Sequence, residues 1–284
     1  MTRALFWLFW LLAVSSPDAA AWSARTHRWI AARAAELAPG PVGRVALANR
    51  EVLLNGATAP DRRGRGHIPP QAHVWHVVPT EGGAHFGEAP RRAAAMIWRL
   101  GKESPAAGAE LAFELGRLCH IAADLSQPLH TDGGPGRPFE DRYHARYEKE
   151  VERLLDEFGP VTARSAAPPA DVRSALEALA RAAHAGYEPI EHAYLSGKGL
   201  APVTELTRVR LRESVAATLD LWASVPPPAR GGPPAGASSE AGQAAAVLLA
   251  YFGYASLRRR ARLSSSGYAA SAGRRAVGSA RRCG

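Results

Sequence analysis

The sequence predicts an all-α protein: a single multi-helix domain, then a flexible linker and a short apolar C-terminal segment. Three observations predict it. Apolar residues recur at helical spacing over long runs such as 106–126 (AAGAELAFELGRLCHIAADLS). No stretch combines alternating polarity with a hairpin dipeptide and β-branched flanks. The helical runs are stopped by Pro39-Gly40-Pro41, Asn55-Gly56 and similar breaks.

Met1–Ala21 reads as a secretory signal peptide: Arg3, an apolar core from Ala4 to Val14, then Ser15-Ser16-Pro17 and three alanines at 19–21. Its apolar core, about eleven residues long, is too short to span a bilayer. Cleavage after Ala21 makes Trp22 the new N-terminus, whose amino group and carbonyl can chelate a metal. The chain is thus expected to be exported, to be secreted, periplasmic or held at the cell surface.

Helices are expected at 23–38 and 41–55. The next stretch, NGATAPDRRGRGHIPPQAHVWHVVPTEGG, is loop by composition and carries Asp61, His67, His73 and His76. Further helices are expected at about 88–102, 106–126, 137–157, 169–187 and 203–224. Residues 22–224 therefore form the domain. Residues 225–243 are a Pro/Gly/Ser linker. In 244–262 an apolar run, AAAVLLAYFGYASL, meets an arginine cluster; it reads as a membrane or sorting segment with the arginines on the cytoplasmic side. Residues 263–284 read as a disordered basic tail.

The net charge of +9 invites a nucleic-acid reading, but eight of those charges are tail arginines at 258–260, 262, 274, 275, 281 and 282. The rest of the chain is nearly balanced, so global charge gives no nucleic-acid footprint. Of the two cysteines, Cys119 lies in the central helix and Cys283 in the tail, and no structural disulfide is expected.

The chemistry concentrates between 120 and 148. His120 and Asp124 stand four apart on one helical run, and so do His144 and Glu148 on the next, with His130 between them. Imidazole and carboxylate are zinc ligands, and two such pairs plus His130 exceed what one tetrahedral ion needs. A lone helical His-x-x-x-Asp more often marks a solvated or salt-bridged face; five such residues in this order point to a multi-zinc site. His27, near the start of the first helix, taken by itself reads as a surface residue.

With these residues in order, the chain resembles the zinc-dependent phospholipase C family, in the superfamily that also holds the fungal single-strand nucleases and 3′-nucleotidases. The resemblance covers roughly 22–224. It rests on Trp22-Ser23, on His27 followed by RWIAARA, and on NGATAPD ending in Asp61. It rests also on His-x-x-x-Asp-Leu-Ser-x-Pro-x-His at 120–130 and the His144/Glu148 pair. The short step from His130 to His144 is similar to the phospholipase branch. Ile121, Ala123 and Asp132-Gly133-Gly134 depart from the family's usual residues, and none of them is at a ligand position.

The resemblance implies about three zinc ions. One is held by His130, His144 and Glu148, and a second by the Trp22 amino group and carbonyl, His27 and Asp124. The third takes His120, Asp124 as a bridge, and either His73 or His76. The step from Asp61 and the segment AHVWHV favour His73, whereas WHVVP gives His76 a likeness to the nuclease branch. Asp61 is implied as catalytic base or as a ligand to the attacking water. Positions matching the choline-binding ones hold Arg25 and Arg62, cations that would repel choline and favour an anionic head group or a polynucleotide backbone. The implied partner is a phospholipid or membrane surface, with nucleic acid as the alternative substrate; no protein partner is implied. A non-catalytic, zinc-stabilised surface module is the remaining alternative, and Asp61 argues against it, since a closed structural site has no use for an extra carboxylate.

Overall fold

Helices account for all the regular structure in a computed structural model of the chain, which describes residues 22–80, 82–103, 108–131, 138–159, 161 and 166–226. No strand occurs among the described residues. Among the described residues nine α-helices follow in order. They are α1 (Ala24–Leu37), α2 (Gly40–Ala48), α3 (Arg50–Gly56), α4 (Ala89–Glu103), α5 (Ala109–Ser126), α6 (Pro138–Leu154), α7 (Val172–His184), α8 (Tyr187–Leu195) and α9 (Thr204–Ala223). The expected signal peptide, most of the linker, the apolar 244–262 segment and the basic tail lie outside the described residues. Among the described residues no helix is long and apolar enough to cross a membrane.

Helix α5 is the centre. Only Ala109, Glu110 and Arg117 escape burial along it. Leu111, Leu115, Leu118, Ile121 and Leu125 are at most 1% exposed. Burying each such side chain stabilises the fold by about 1.5–3 kcal/mol. Their sum exceeds the several kcal/mol that burying each ionised group of the same helix costs. This is how the domain can hold His120 and Asp124 completely away from water.

Helices α3 and α5 cross at a contact that requires glycine on both sides. A Cβ on Gly116 would lie 2.2 Å from the Leu53 carbonyl oxygen, and one on Gly56 2.2 Å from that of Phe113. The close crossing carries Ala57, the residue just after α3, to within 2.9 Å of His120. Helix α9 covers another side of α5. Trp222 is buried there and its indole N–H donates to the Leu115 carbonyl at 3.0 Å.

Local sequence explains the ends. Ser23 caps α1 by accepting the Thr26 N–H at 3.3 Å, and Asp171 caps α7 by accepting that of Ser174 at 2.9 Å. Two elements differ from the sequence expectation. The helix expected over 41–55 is two helices, because Asn49 leaves helical geometry at φ −121° and its side chain donates to the Val45 carbonyl. A separate helix, α8, follows α7, although Pro189 reads as a breaker. Pro189 is the third residue of α8, where a first-turn N–H has no helical partner to lose. Cys119 is a free, buried thiol that burial pushes up to about 12.

Candidate metal centre

Three groups of histidines and carboxylates converge, with ligand atoms close enough to share an ion in each: His27, His120 and Asp124; Asp61, His73 and His120; His130, His144 and Glu148. They come from α1, the loop after α3, α5, the short 3-10 turn Pro128–His130, and α6. Asp124 joins the first two groups. One of its oxygens lies 3.2 Å from His27 Nε2, and the other 2.9 Å from His73 Nδ1 and 3.1 Å from His120 Nε2. Asp61 Oδ1 stands slightly farther off, 3.4 Å from His120 Nε2 and 3.7 Å from His73 Nδ1. The His27 and His120 rings stack at 4.0 Å, while His73 and His130 meet His120 and His144 edge-on.

The outer nitrogens of two rings are fixed by main-chain carbonyls. His120 Nδ1 lies 2.9 Å from the Ala57 oxygen and His73 Nε2 3.3 Å from that of Ile68. A carbonyl only accepts, so these nitrogens carry protons and the facing ones, His120 Nε2 and His73 Nδ1, are free to ligate once neutral. The loop bearing His73 is tied by an Ile68 N–H bond to the Pro60 carbonyl, which places Asp61 and His73 side by side. Trp22 is buried, packs against Tyr147, and donates its indole N–H at 3.0 Å to the carbonyl of Ala123, the residue before Asp124.

Charge is concentrated to an extent that hydrogen bonding does not balance. His27 Nδ1 and both nitrogens of His130 are buried without a hydrogen-bond partner, and His27 Nε2 and Asp124 Oδ1 have only each other, at 3.2 Å. Burial opposes ionisation of Asp124, yet His120 and His27 outweigh it and hold its carboxyl well below the usual range. Burial likewise opposes the charge on His120, but Asp124 and Asp61 raise it to about 10. His27 goes the other way, lowered by burial and by the neighbouring His120. Burial takes His130 down to about 3 and, against the pull of His144 and Gln127, takes Glu148 up to about 7. Unpartnered buried imidazoles facing buried carboxylates cost several kcal/mol as they stand. Divalent cations remove that cost, and nitrogen–oxygen ligand sets of this kind fit zinc. The residues fit the metal.

His76 joins none of the three groups among the described residues. Its ring packs against Phe86 at 4.8 Å, and its main-chain N–H donates to the Phe86 carbonyl. Arg25 is drawn away by an ion pair to Asp156 at 2.8 Å and a hydrogen bond to the Glu152 carbonyl. Arg62 is exposed, next to Asp61 in sequence. Gln127, next to the chain break at Pro128, is absent from the residues that the sequence singles out. It is fully buried, and its amide nitrogen lies 2.9 Å from His144 Nε2 and 3.3 Å from Glu148 Oε1. A polar residue at the end of a buried helix, directly before Pro-x-His, was the available cue.

A helical domain enclosing clustered histidines and carboxylates defines a class of metal-dependent proteins. Residues 26–194 match the family described as zinc dependent phospholipase C. The chain belongs to that family. The fold is similar to that of alpha-toxin from an avian strain of Clostridium perfringens, with a TM-score of 0.52 at 15% identity, over 73% of this chain and 64% of that one. Alpha toxin from Clostridium absonum is similar too, with a TM-score of 0.50 at 15% identity, over 72% of this chain and 64% of that one. The chain thus spans less than two thirds of these toxins. No curated protein sequence matches it.

Proposed function

We propose that the chain is an exported phospholipase C that hydrolyses glycerophospholipids, starting at Trp22 after removal of the signal peptide. Three zinc ions are assigned. His130, His144 and Glu148 hold one; His120, Asp124 and His73 a second; His27, Asp124 and the Trp22 amino group and carbonyl a third. The single observation that carries the reading is the convergence of buried imidazoles and carboxylates in three groups, with His27 Nδ1 and both nitrogens of His130 left without a hydrogen-bond partner. Zinc, when bound, lowers the pKa of a coordinated water towards about 7 and offsets charge on the phosphoryl oxygens.

The residues divide the remaining work by access to water. Both oxygens of Asp124 face histidines and its side chain is wholly buried, so it cannot take up a proton from solvent-derived water. The Asp61 side chain is 22% exposed and stands 3.4 Å from His120 Nε2. Burial opposes its ionisation, but a hydrogen bond and the charge of His120 keep it lowered, hence a carboxylate at neutral pH. Asp61 is thus placed to orient the attacking water and accept its proton. As the new P–O bond forms, the bond to the glycerol oxygen breaks. Diacylglycerol leaves with a proton, and the phosphorylated head group is released.

The test is hydrolysis of phosphatidylcholine, anionic phospholipids and single-stranded DNA by the zinc-loaded mature chain, with an EDTA control. Chelator-sensitive diacylglycerol release is expected. Turnover of DNA alone moves the protein to the nuclease branch, and zinc binding without any turnover refutes the activity.

A further inference from the structure

We propose that Gln127 is a positioning residue that holds His130, His144 and Glu148 in ligand geometry before the ion arrives. The inference rests on the zinc reading above, and it concerns a residue outside the ligand sets. The three ligands sit on two separate elements, the Pro128–His130 turn and α6. Among the described hydrogen bonds, those of Gln127 tie the two together. Its Oε1 accepts the Leu129 N–H and so caps the turn that presents His130. Its Nε2 faces His144 Nε2 at 2.9 Å and Glu148 Oε1 at 3.3 Å.

The amide has one orientation. The Leu129 N–H can only donate, so it must meet the oxygen, and this directs the NH2 group at His144 and Glu148. One N–H reaches Glu148 Oε1, and the amide nitrogen also lies against His144 Nε2, which itself stands 2.8 Å from the same carboxylate oxygen. That ring nitrogen and that carboxylate are what a zinc ion takes. Gln127 therefore braces the His144–Glu148 pair against the turn that carries His130, at complete burial where an unmet donor or acceptor is costly. When the ion binds, the hydrogen bond to Glu148 stays available to orient the carboxylate, as outer partners of metal ligands commonly do.

Gln127→Met keeps the length of the side chain and removes the N–H donors; Gln127→Asn keeps the amide but shortens its reach, and answers the question if the first variant fails to fold. Zinc affinity is measured by chelator competition on the full chain, with His130→Ala marking the ion that this group holds. Each variant is expected to weaken that ion by about 10–100-fold and leave the others unchanged. The gap in Tm between zinc-loaded and EDTA-treated protein should narrow as well. A merely structural role lowers both Tm values alike and leaves the gap, and that result with parental zinc affinity overturns the inference. A parent chain with no zinc sensitive to His130→Ala overturns the zinc reading itself, and this inference with it.

Discussion

His73 Nδ1 lies 2.9 Å from Asp124 Oδ2 across 51 residues of sequence. That contact joins a loop histidine to the central helix and makes Asp124 the shared carboxylate of two ligand groups. Asp61 is held in the same place by the same loop, yet it alone of the two aspartates keeps contact with water. In the proposed mechanism that difference in exposure assigns Asp124 as ligand and Asp61 as base.

Asp61→Asn therefore removes the proton acceptor while preserving size. Turnover is expected to fall by about 100- to 10,000-fold. Zinc content, measured by atomic absorption, should stay near that of the parent, because the other ligands of the group remain. Parental turnover in this variant would refute the assignment of Asp61 as base.

How far the sequence announces this centre depends on the element. His120 with Asp124, and His144 with Glu148, are legible because four residues make one helical turn, and the helices that carry them are strongly periodic. The neighbourhood of His73 is not. Two histidines three apart on a loop differ only in which family segment each resembles, and what separates them in the fold is the Pro60–Ile68 bond and the pairing of His76 with Phe86, contacts that no local pattern encodes. Gln127 is hidden for a similar reason. Its neighbour Pro128 signals a chain break so strongly that it masks the weaker cue of a polar residue directly before Pro-x-His. The division at Asn49 and the start of α8 turn on single-residue dihedral choices, which periodicity averages away.

Zinc loading should expel protons. Without metal, His120 is raised to about 10 and Glu148 to about 7, so at about pH 6 both are largely protonated in the folded chain. Zinc binds only the deprotonated forms. Loading at about pH 6 is thus expected to release about two protons per chain from these groups, and apparent affinity should rise as pH climbs through about 7. Calorimetric titration in buffers of different ionisation enthalpy counts the protons. A heat of binding independent of buffer would contradict both shifts.

The crossing of α3 and α5 makes a stability prediction. Alanine is ordinarily favoured over glycine within a helix by about 1 kcal/mol. At Gly116 the new Cβ would meet the Leu53 oxygen at 2.2 Å and the Ala57 nitrogen at 2.6 Å, so the helices must part. Gly116→Ala is expected to destabilise the domain by about 1–3 kcal/mol, lowering Tm by about 2–4 °C for each kcal/mol. Since Ala57 also fixes His120, zinc affinity should fall with it. Gly82→Ala, where a Cβ would meet nothing within 4 Å, is the control and should change neither. An unchanged Tm in Gly116→Ala would mean that the two helices do not cross so closely.

Under the proposed phospholipase function, head-group preference is expected to turn on which arginine remains uncommitted. Arg25 is ion-paired with Asp156 and bonded to the Glu152 carbonyl, so most of its charge is already answered. Arg62 is exposed and has no ion pair among the described residues, directly beyond Asp61. A cation there repels choline and attracts an anionic head group, with the modest strength of an exposed pair, up to about 1 kcal/mol. The parent is expected to turn over anionic phospholipids faster than phosphatidylcholine. Arg62→Ala should reduce that ratio by about two- to fivefold, and Arg25→Ala should change it less. Salt should shrink the difference, because the Debye length falls to about 3 Å at about 1 M. A parent that prefers phosphatidylcholine, or an Arg62→Ala variant with the parental ratio, would remove Arg62 from substrate selection.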